Sequence, residues 1–284
     1  MYTAVMLGAG QAGRAFSNLL NHSYLTLLAF GDNNPELHGT RIGRIPVMSV
    51  EQAIRLEPQF ALIGVIDSMR GRELRQQADL AGFCGTFIHL HDLYRQLDIR
   101  TATLLRMAER ITEQNIPGSI AELGVYKGDT ACVLNQRFPE RRLYLFDTFQ
   151  GFDSRDIATE MELGCSKAAA GDFSDTSAEA VLSRMPHPDR VVIRKGYFPK
   201  TSAGLKEERY ALVSLDADLY APLSAGLEYF YPRLNPGGMI LLHDYNNGRF
   251  RGARQAVADY EKNCGSLLLL PLCDLHGSAV IVHP

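Results

Sequence analysis

The sequence predicts an α/β protein of two Rossmann-like units. Three observations carry that prediction. The chain opens as strand, glycine turn and helix in Ala4-Val-Met-Leu-Gly-Ala-Gly-Gln-Ala-Gly-Arg14, and Ser119-Ile-Ala-Glu-Leu-Gly-Val-Tyr-Lys-Gly-Asp-Thr130 repeats that opening. Strand-like and helix-like segments alternate after each, the signature of a parallel, doubly wound sheet. A single sheet needs one such opening, so two imply two units.

In the first unit the pattern predicts a strand at 4–7, a helix at 12–21 and a strand at 25–30. A polar turn follows at Asp32-Asn-Asn-Pro-Glu36, then a short strand near Ile45–Met48 and a helix at 49–56. A strand at 60–66, a helix near 69–81 and a strand at 86–89 complete it. The segment 92–115 reads as one helical stretch, because Leu97, Leu104, Leu105, Ala108 and Ile111 fall near helical spacing. Pro117-Gly118 stops it.

The second unit is expected to have strands at 119–123, 142–146, 190–194, 210–215, 238–243 and 278–282. Its helices are expected near 128–137, 177–184, 222–231 and 250–262. The stretch 151–176 lacks periodicity and is rich in Gly, Asp and Ser, as a lid or binding loop would be. The domain division is thus 1–92 for a nucleotide- or nucleotide-sugar-binding unit, 93–117 for a helical linker and 118–284 for the second unit.

Composition narrows the function. With 29 basic and 32 acidic residues the formal charge is −3, so no basic excess exists for a nucleic acid or a membrane surface. Apolar stretches such as Ser266–Leu272 are too short to span a bilayer. Met1-Tyr-Thr leads into a strand without the pattern of a signal peptide. The five cysteines form no C-x-x-C pair, which points to reduced thiols and a cytoplasmic protein. Cys84, Cys132, Cys264 and Cys273 read as core residues, and Cys165, in a polar loop, as the exposed one.

The second opening carries the chemistry. Glu122 ends its first strand, and Gly124 and Gly128 shape a turn that a cofactor can approach closely. Such a turn in a methyltransferase cradles the amino-acid end of S-adenosylmethionine, whose ammonium suits Glu122. Asp147 ends the next strand, where an acidic residue is placed for ribose hydroxyls. Leu212-Val-Ser-Leu-Asp216-Ala-Asp218 and Met239-Ile-Leu-Leu-His243-Asp244 both end in acidic groups. In a parallel sheet both ends lie at the carboxyl edge, where their oxygens suit a hard cation that lowers the pKa of a substrate hydroxyl. Capping of the following helices is the competing structural role.

These stretches resemble the macrocin O-methyltransferase (TylF/MycF) family over Asp98–Pro284. The matching text also includes Phe146-Asp-Thr-Phe-Gln-Gly-Phe152, Lys195-Gly-Tyr-Phe-Pro-Lys-Thr201, Tyr231-Pro-Arg-Leu-Asn-Pro-Gly-Gly238 and His243-Asp-Tyr245, in family order. The resemblance implies a class I S-adenosylmethionine-dependent methyltransferase domain that, with Mg²⁺, methylates a sugar hydroxyl. By it, Glu122, Gly124 and Asp147 would touch the cofactor, and Asp216 and Asp244 would hold the metal; Tyr126, Gly128 and Thr148 are further cofactor candidates and His243 a further metal candidate. His243 and Asp216 are the catalytic candidates. The family often has two adjacent Asp residues where this chain has His243-Asp244, leaving His243 as ligand, base or packed residue. The base histidine of the macrolide enzymes has no counterpart in 151–176, where Lys167, Asp172 and Asp175 are the titratable groups.

The first unit resembles the nucleotide-binding head of bacterial sugar acyltransferases and nucleotide-diphospho-sugar dehydratases. It shares Gly31-Asp-Asn-Asn-Pro-Glu-Leu-His-Gly39 and Gly43-Arg-Ile-Pro-Val47. Gly8, Gly10 and Gly13 complete a G-x-G-x-x-G, and Asp32 is placed for a ribose hydroxyl. The expected partners are therefore a small-molecule or sugar-linked acceptor, a nucleotide sugar at the first unit, and a second copy in a homodimer. The alternatives are an NAD(P)-dependent oxidoreductase, which lacks a Tyr-x-x-x-Lys pair here, and a nucleotide-sugar-binding protein with an inactive methyltransferase unit.

Overall fold

A computed structural model describes residues 1–284. The chain divides into one compact unit of Met1–Asp98 with Cys273–Leu275 and another of Ile99–Leu272 with His276–Pro284.

The first unit runs β1 (Tyr2–Leu7), α1 (Gln11–Asn18), β2 (Leu25–Gly31), β3 (Arg41–Ile42), β4 (Ile45–Met48) and α2 (Val50–Ile54). It continues with β5 (Phe60–Ile63), α3 (Ser68–Leu80), β6 (Thr86–His89) and α4 (Leu90–Gln96). The sheet order is β3-β4-β2-β1-β5-β6, parallel except at the β3–β4 pair. Side chains alternate across β1: Val5 and Leu7 pack with Ala29, Ile54 and Ile63 on one face, and Ala4 and Met6 with Phe30, Val47 and Leu62 on the other. Both faces are covered, so β1 from Ala4 to Leu7 and β5 from Phe60 to Ile63 are apolar throughout. Local signals start the helices. Ser49 and Gln52 form a capping box on α2, and Asp67 accepts the N–H of Arg70 at the start of α3.

The second unit starts with α5 (Ile99–Glu113), β7 (Ser119–Leu123), α6 (Asp129–Arg137), β8 (Leu143–Asp147) and α7 (Ser154–Leu163). Then come α8 (Ala178–Ser183), β9 (Val191–Lys195), β10 (Tyr210–Leu215), α9 (Tyr220–Phe230) and β11 (Leu234–Leu242). It ends with α10 (Gly252–Cys264), β12 (Leu268–Pro271) and β13 (Ala279–Val282). The order is β12-β13-β11-β10-β7-β8-β9, with β13 antiparallel to both neighbours. Leu123 lies opposite both Phe146 and Leu215, and Leu215 opposite Leu242. The next residues in chain order, Gly124, Asp147, Asp216 and His243, are therefore level along the carboxyl edge.

Several expectations need correction. The stretch 151–176 contains a helix, α7, begun by Asp153, whose carboxylate accepts the Arg155 N–H, and ended by Gly164 at φ +62°. Its periodicity is hidden because its buried positions include two acids, Asp156 and Glu160. The helical stretch 92–115 is broken at Leu97, which is extended at φ −128°, ψ 121°. The apolar run before Leu272 forms the edge strand β12. Cys165 is buried, since the chain folds back after α7 and its N–H bonds the Glu160 carbonyl. Cys84 and Cys273 are exposed because they sit in connections, and Cys264 because it is the last residue of α10, outside the apolar faces. No helix is long and apolar enough to cross a membrane.

Candidate active site

The carboxyl edge of the seven-stranded sheet is tightly laced. The Gly124 N–H bonds the Phe146 carbonyl, and the Asp216 N–H bonds the Leu123 carbonyl. Gly124 has φ +84°, and a Cβ there would stand 2.1 Å from the Asp216 carbonyl oxygen. Gly128 has φ +79°, and its Cβ would press on Val181 at 2.9 Å. The protein's own packing thus accounts for both glycines, in addition to any approach by a ligand.

Asp147 is occupied by the backbone around it. Its Oδ2 accepts from the N–H groups of Val125 (2.7 Å) and Tyr126 (2.9 Å), and its Oδ1 from Phe149 (2.7 Å). Each of two lone pairs on Oδ1 is a potential acceptor, so one remains for a hydroxyl. Thr148 donates its hydroxyl to the Gly151 carbonyl at 2.8 Å and accepts the Gln150 N–H. Tyr126 adopts φ +48° and donates its hydroxyl to Asp175 at 2.7 Å. Lys127 also pairs with Asp175, at 2.6 Å, and the Thr176 hydroxyl donates to the Tyr126 carbonyl. The glycine turn and the segment after α7 are therefore joined.

Glu122 is 2% exposed, and its Oε2 has no hydrogen-bond partner. Burial, with the Asp216 charge nearby, pushes its carboxyl well above the usual range. A cationic group brought to this carboxylate would relieve both effects.

Beside it, Asp216, Asp218, His243 and Asp244 offer ligand atoms that all lie within 4.8 Å of one another. His243 Nδ1 is 2.6 Å from Asp216 Oδ1 and 3.0 Å from Asp244 Oδ2, ion-pair distances without hydrogen-bond alignment. Burial by itself would lower the His243 pKa, but the two carboxylates overcome it and raise it to about 10. Burial would likewise raise Asp216, but His243 and Arg100 hold it at about 2. Asp218 is pushed well above its usual range by burial, by sharing a hydrogen bond with Asp244 and by the Asp216 charge. Burial would raise Asp244, but the nearby His243, with Asp218 and Asn247, outweighs it and holds Asp244 below its usual value. Asp218 and Asp244 both adopt φ +57°, a backbone conformation costly for a non-glycine residue. These two residues follow the two strand ends that bring the carboxylates together.

This donor set, three carboxylates and an imidazole with a buried and unpartnered Asp244 Oδ2, is chemically suited to a divalent cation. Sequence reasoning missed two neighbours. Arg100 Nη1 donates to Asp216 Oδ2 at 2.9 Å. The His276 ring lies 5.0 Å from that of His243, carried by the β12–β13 connection, where the Asn246 N–H bonds the Gly277 carbonyl. No local pattern marks Arg100, but the reversal into β13 signals that its preceding loop returns to the carboxyl edge.

Other polar and aromatic side chains of these loops are held by the fold. Asp172 accepts the Ala169 N–H at 3.0 Å. Arg251 donates to the Gly164 carbonyl, and Arg249 lies over Phe250. Tyr197 donates to the buried Asp156, and Phe198 stacks on Phe230 in the core.

The first unit repeats the device seen at Asp147. Asp32 Oδ2 accepts the Ala9 N–H at 2.6 Å, and Oδ1 the Asn34 N–H at 2.8 Å. Gly8 has φ +107°, and a Cβ on Gly13 would lie 2.0 Å from the Gly8 carbonyl oxygen. Gly10 has nothing within 4 Å of where its Cβ would be, and it precedes α1 without a side-chain cap.

Comparison with known proteins adds to this geometry. Residues 98–280 match the family described as Macrocin-O-methyltransferase (TylF). A tetracenomycin-C 4'-O-methyltransferase of Streptomyces olivaceus, whose named substrate bears a dimethoxy-rhamnosyl group, is 27% identical over 64% of this chain and 71% of its own. Mycinamicin III 3''-O-methyltransferase of Micromonospora griseorubida is 28% identical over 58% of this chain and 69% of its own. Among solved structures, the O-methyltransferase NovP superposes with a TM-score of 0.53 at 20% identity, covering 65% of this chain and 79% of that one. The calicheamicin methyltransferase CalS11 gives 0.50 at 20% identity, covering 76% and 86%. These two structures share the fold.

Proposed function

The chain belongs to the macrocin O-methyltransferase (TylF) family and is an O-methyltransferase, and from that premise we propose that it transfers a methyl group from S-adenosylmethionine to a sugar hydroxyl with a divalent cation. The observation that carries this reading is the convergence of Asp216, Asp218, His243 and Asp244 within 4.8 Å, beside Glu122, whose Oε2 has no hydrogen-bond partner. The named substrate of the tetracenomycin relative bears a rhamnosyl group, which supports a sugar-bearing acceptor.

When bound, S-adenosylmethionine supplies the electrophilic methyl group, and Mg²⁺ lowers the pKa of the acceptor hydroxyl. Glu122 is assigned to the cofactor's ammonium. The turn Gly124–Gly128 and Thr148 border the cofactor, with Tyr126 holding the turn to Asp175. Asp147 keeps the turn in shape by accepting backbone N–H groups and has one lone pair left for a ribose hydroxyl. Asp216, His243 and Asp244 are the cation's ligands. Asp216, or His243 where it stands beside the cation without ligating it, is assigned to take the acceptor's proton. With its carboxylate neighbours uncompensated His243 stays protonated near neutral pH, and it becomes a base only when their charge is neutralised. Much of the rate then comes from holding the two reactants in line.

At the first unit, we propose a nucleotide-sugar subsite. The open backbone at Gly10, next to the uncapped start of α1, supports a phosphate there.

Two measurements test the main reading. In calorimetric titration, S-adenosylhomocysteine should bind the wild type and Asp244→Asn alike. Methyl transfer to sugar-bearing acceptors should need Mg²⁺, stop with a chelator and fall at least ~100-fold in Asp244→Asn. No binding of S-adenosylhomocysteine, or turnover indifferent to chelator, would sink the proposal.

A further inference from the structure

Asp216 spends its two carboxylate oxygens in different directions. Oδ1 lies 2.6 Å from His243 Nδ1, within the cluster. Oδ2 accepts from Arg100 Nη1 at 2.9 Å. Arg100 is the second residue of α5, and that helix is seated in the core by Leu104, Met107, Ala108 and Ile111. The guanidinium is thus presented from a packed element. It does not lose its charge at any working pH. The two side chains are 23% and 21% exposed, so the pair is shielded more than a surface ion pair.

Asp244 is arranged in the same way. Its Oδ1 accepts from Asn247 Nδ2, while Oδ2 is buried without a hydrogen-bond partner. In both residues one oxygen is held by a side chain of the protein and the other is left toward the cluster.

That matters for the kind of ion. Ca²⁺ takes about 6–8 oxygen ligands and readily uses both oxygens of a carboxylate, whereas Mg²⁺ needs a compact octahedron. An imidazole nitrogen also suits Mn²⁺ and other transition ions better than Ca²⁺.

We propose that Arg100 is a positioning residue that confines Asp216 to a single ligand oxygen and, together with Asn247 acting on Asp244, makes the site select a small octahedral cation over Ca²⁺. The inference rests on the cation site of the preceding section.

The test is binding of the metals alone, Mg²⁺, Mn²⁺ and Ca²⁺, to the full chain by calorimetry, with Mn²⁺ also followed by electron paramagnetic resonance. Wild type should prefer Mg²⁺ and Mn²⁺ to Ca²⁺. Arg100→Met and Asn247→Ala should each shrink that preference by ~10-fold or more, as the loss of an outer-sphere partner does at other metal sites. Arg100→Gln, which keeps a donor without the charge, should retain most of it. If Arg100→Met does not fold, the contrast between Asn247→Ala and Arg100→Gln carries the comparison. A preference for Ca²⁺ in the wild type, or an unchanged preference in the folded variants, overturns the inference. No binding of any of these ions by the wild type fails the cation-site reading itself.

Discussion

The burial of Glu122 places a pH-dependent cost on the fold. Its carboxyl is raised by burial, so the folded chain keeps a proton that the unfolded chain gives up. Below the ordinary carboxylate pKa of about 4.3 both states are protonated and no penalty exists. As pH rises above that value the penalty grows, until the folded group also ionises. Glu122→Gln should therefore raise stability at pH 7 by ~1 kcal/mol or more. The gain should shrink to nothing near pH 4, and S-adenosylhomocysteine should bind the variant more weakly. Thermal unfolding of both proteins from pH 4 to pH 8 checks this; a difference that does not vary with pH would show that Glu122 does not cause it. Asp153 is the opposite case. Arg155 holds it at about 2, but the pair is half exposed and screened, so little stability is at stake.

At the scale of elements, the site depends on how closely the ends of neighbouring strands approach. The turn after β7 passes so near the end of β10 that only a glycine fits at 124. Gly124→Ala combines a left-handed backbone with a collision against a carbonyl, and should cost about 2–4 kcal/mol in urea unfolding. Gly10→Ala is the control. It has an ordinary φ of −70° and open space, so it should leave stability within about 0.5 kcal/mol. Equal losses in the two variants would show that the contact at Gly124 is not what matters. The helix α7 is fastened through Glu160. The Glu160 carboxylate accepts the Tyr220 N–H at the start of α9, and its Oε1 would be 2.7 Å from a Cβ on Gly252, the first residue of α10. Those two helices follow the strands that carry Asp216 and Asp244. A single buried carboxylate thus lies at two positive helix ends.

For the molecule as a whole, each unit has its own sheet with apolar clusters on both faces. That arrangement predicts two unfolding events in calorimetry. Leu62→Ala, deep in the first unit, should lower one of them through a loss of about 2–5 kcal/mol. S-adenosylhomocysteine should raise only the other. One transition that responds to both changes would mean that the chain unfolds as a single cooperative body.

What the sequence determined by itself was the periodic and the local. Both glycine openings, the apolar strands and the acids at Asp32, Glu122, Asp147, Asp216 and Asp244 were legible, because strand period and turn chemistry act over a few residues. The register of those strands then makes neighbours of residues already marked. Helix α7 was marked by Asp153 and Gly164 at its ends, yet its inward acids hid the amphipathic pattern. Tertiary structure alone decided the rest. Arg100 meets Asp216 across 116 positions, and His276 meets His243 through a loop that reverses into β13. It also decided that Asp147 and Asp32 hold their own glycine turns through backbone N–H groups. The physical reason is that a side chain's partner across the fold is chosen by chain closure and packing, and neither leaves a pattern in neighbouring residues.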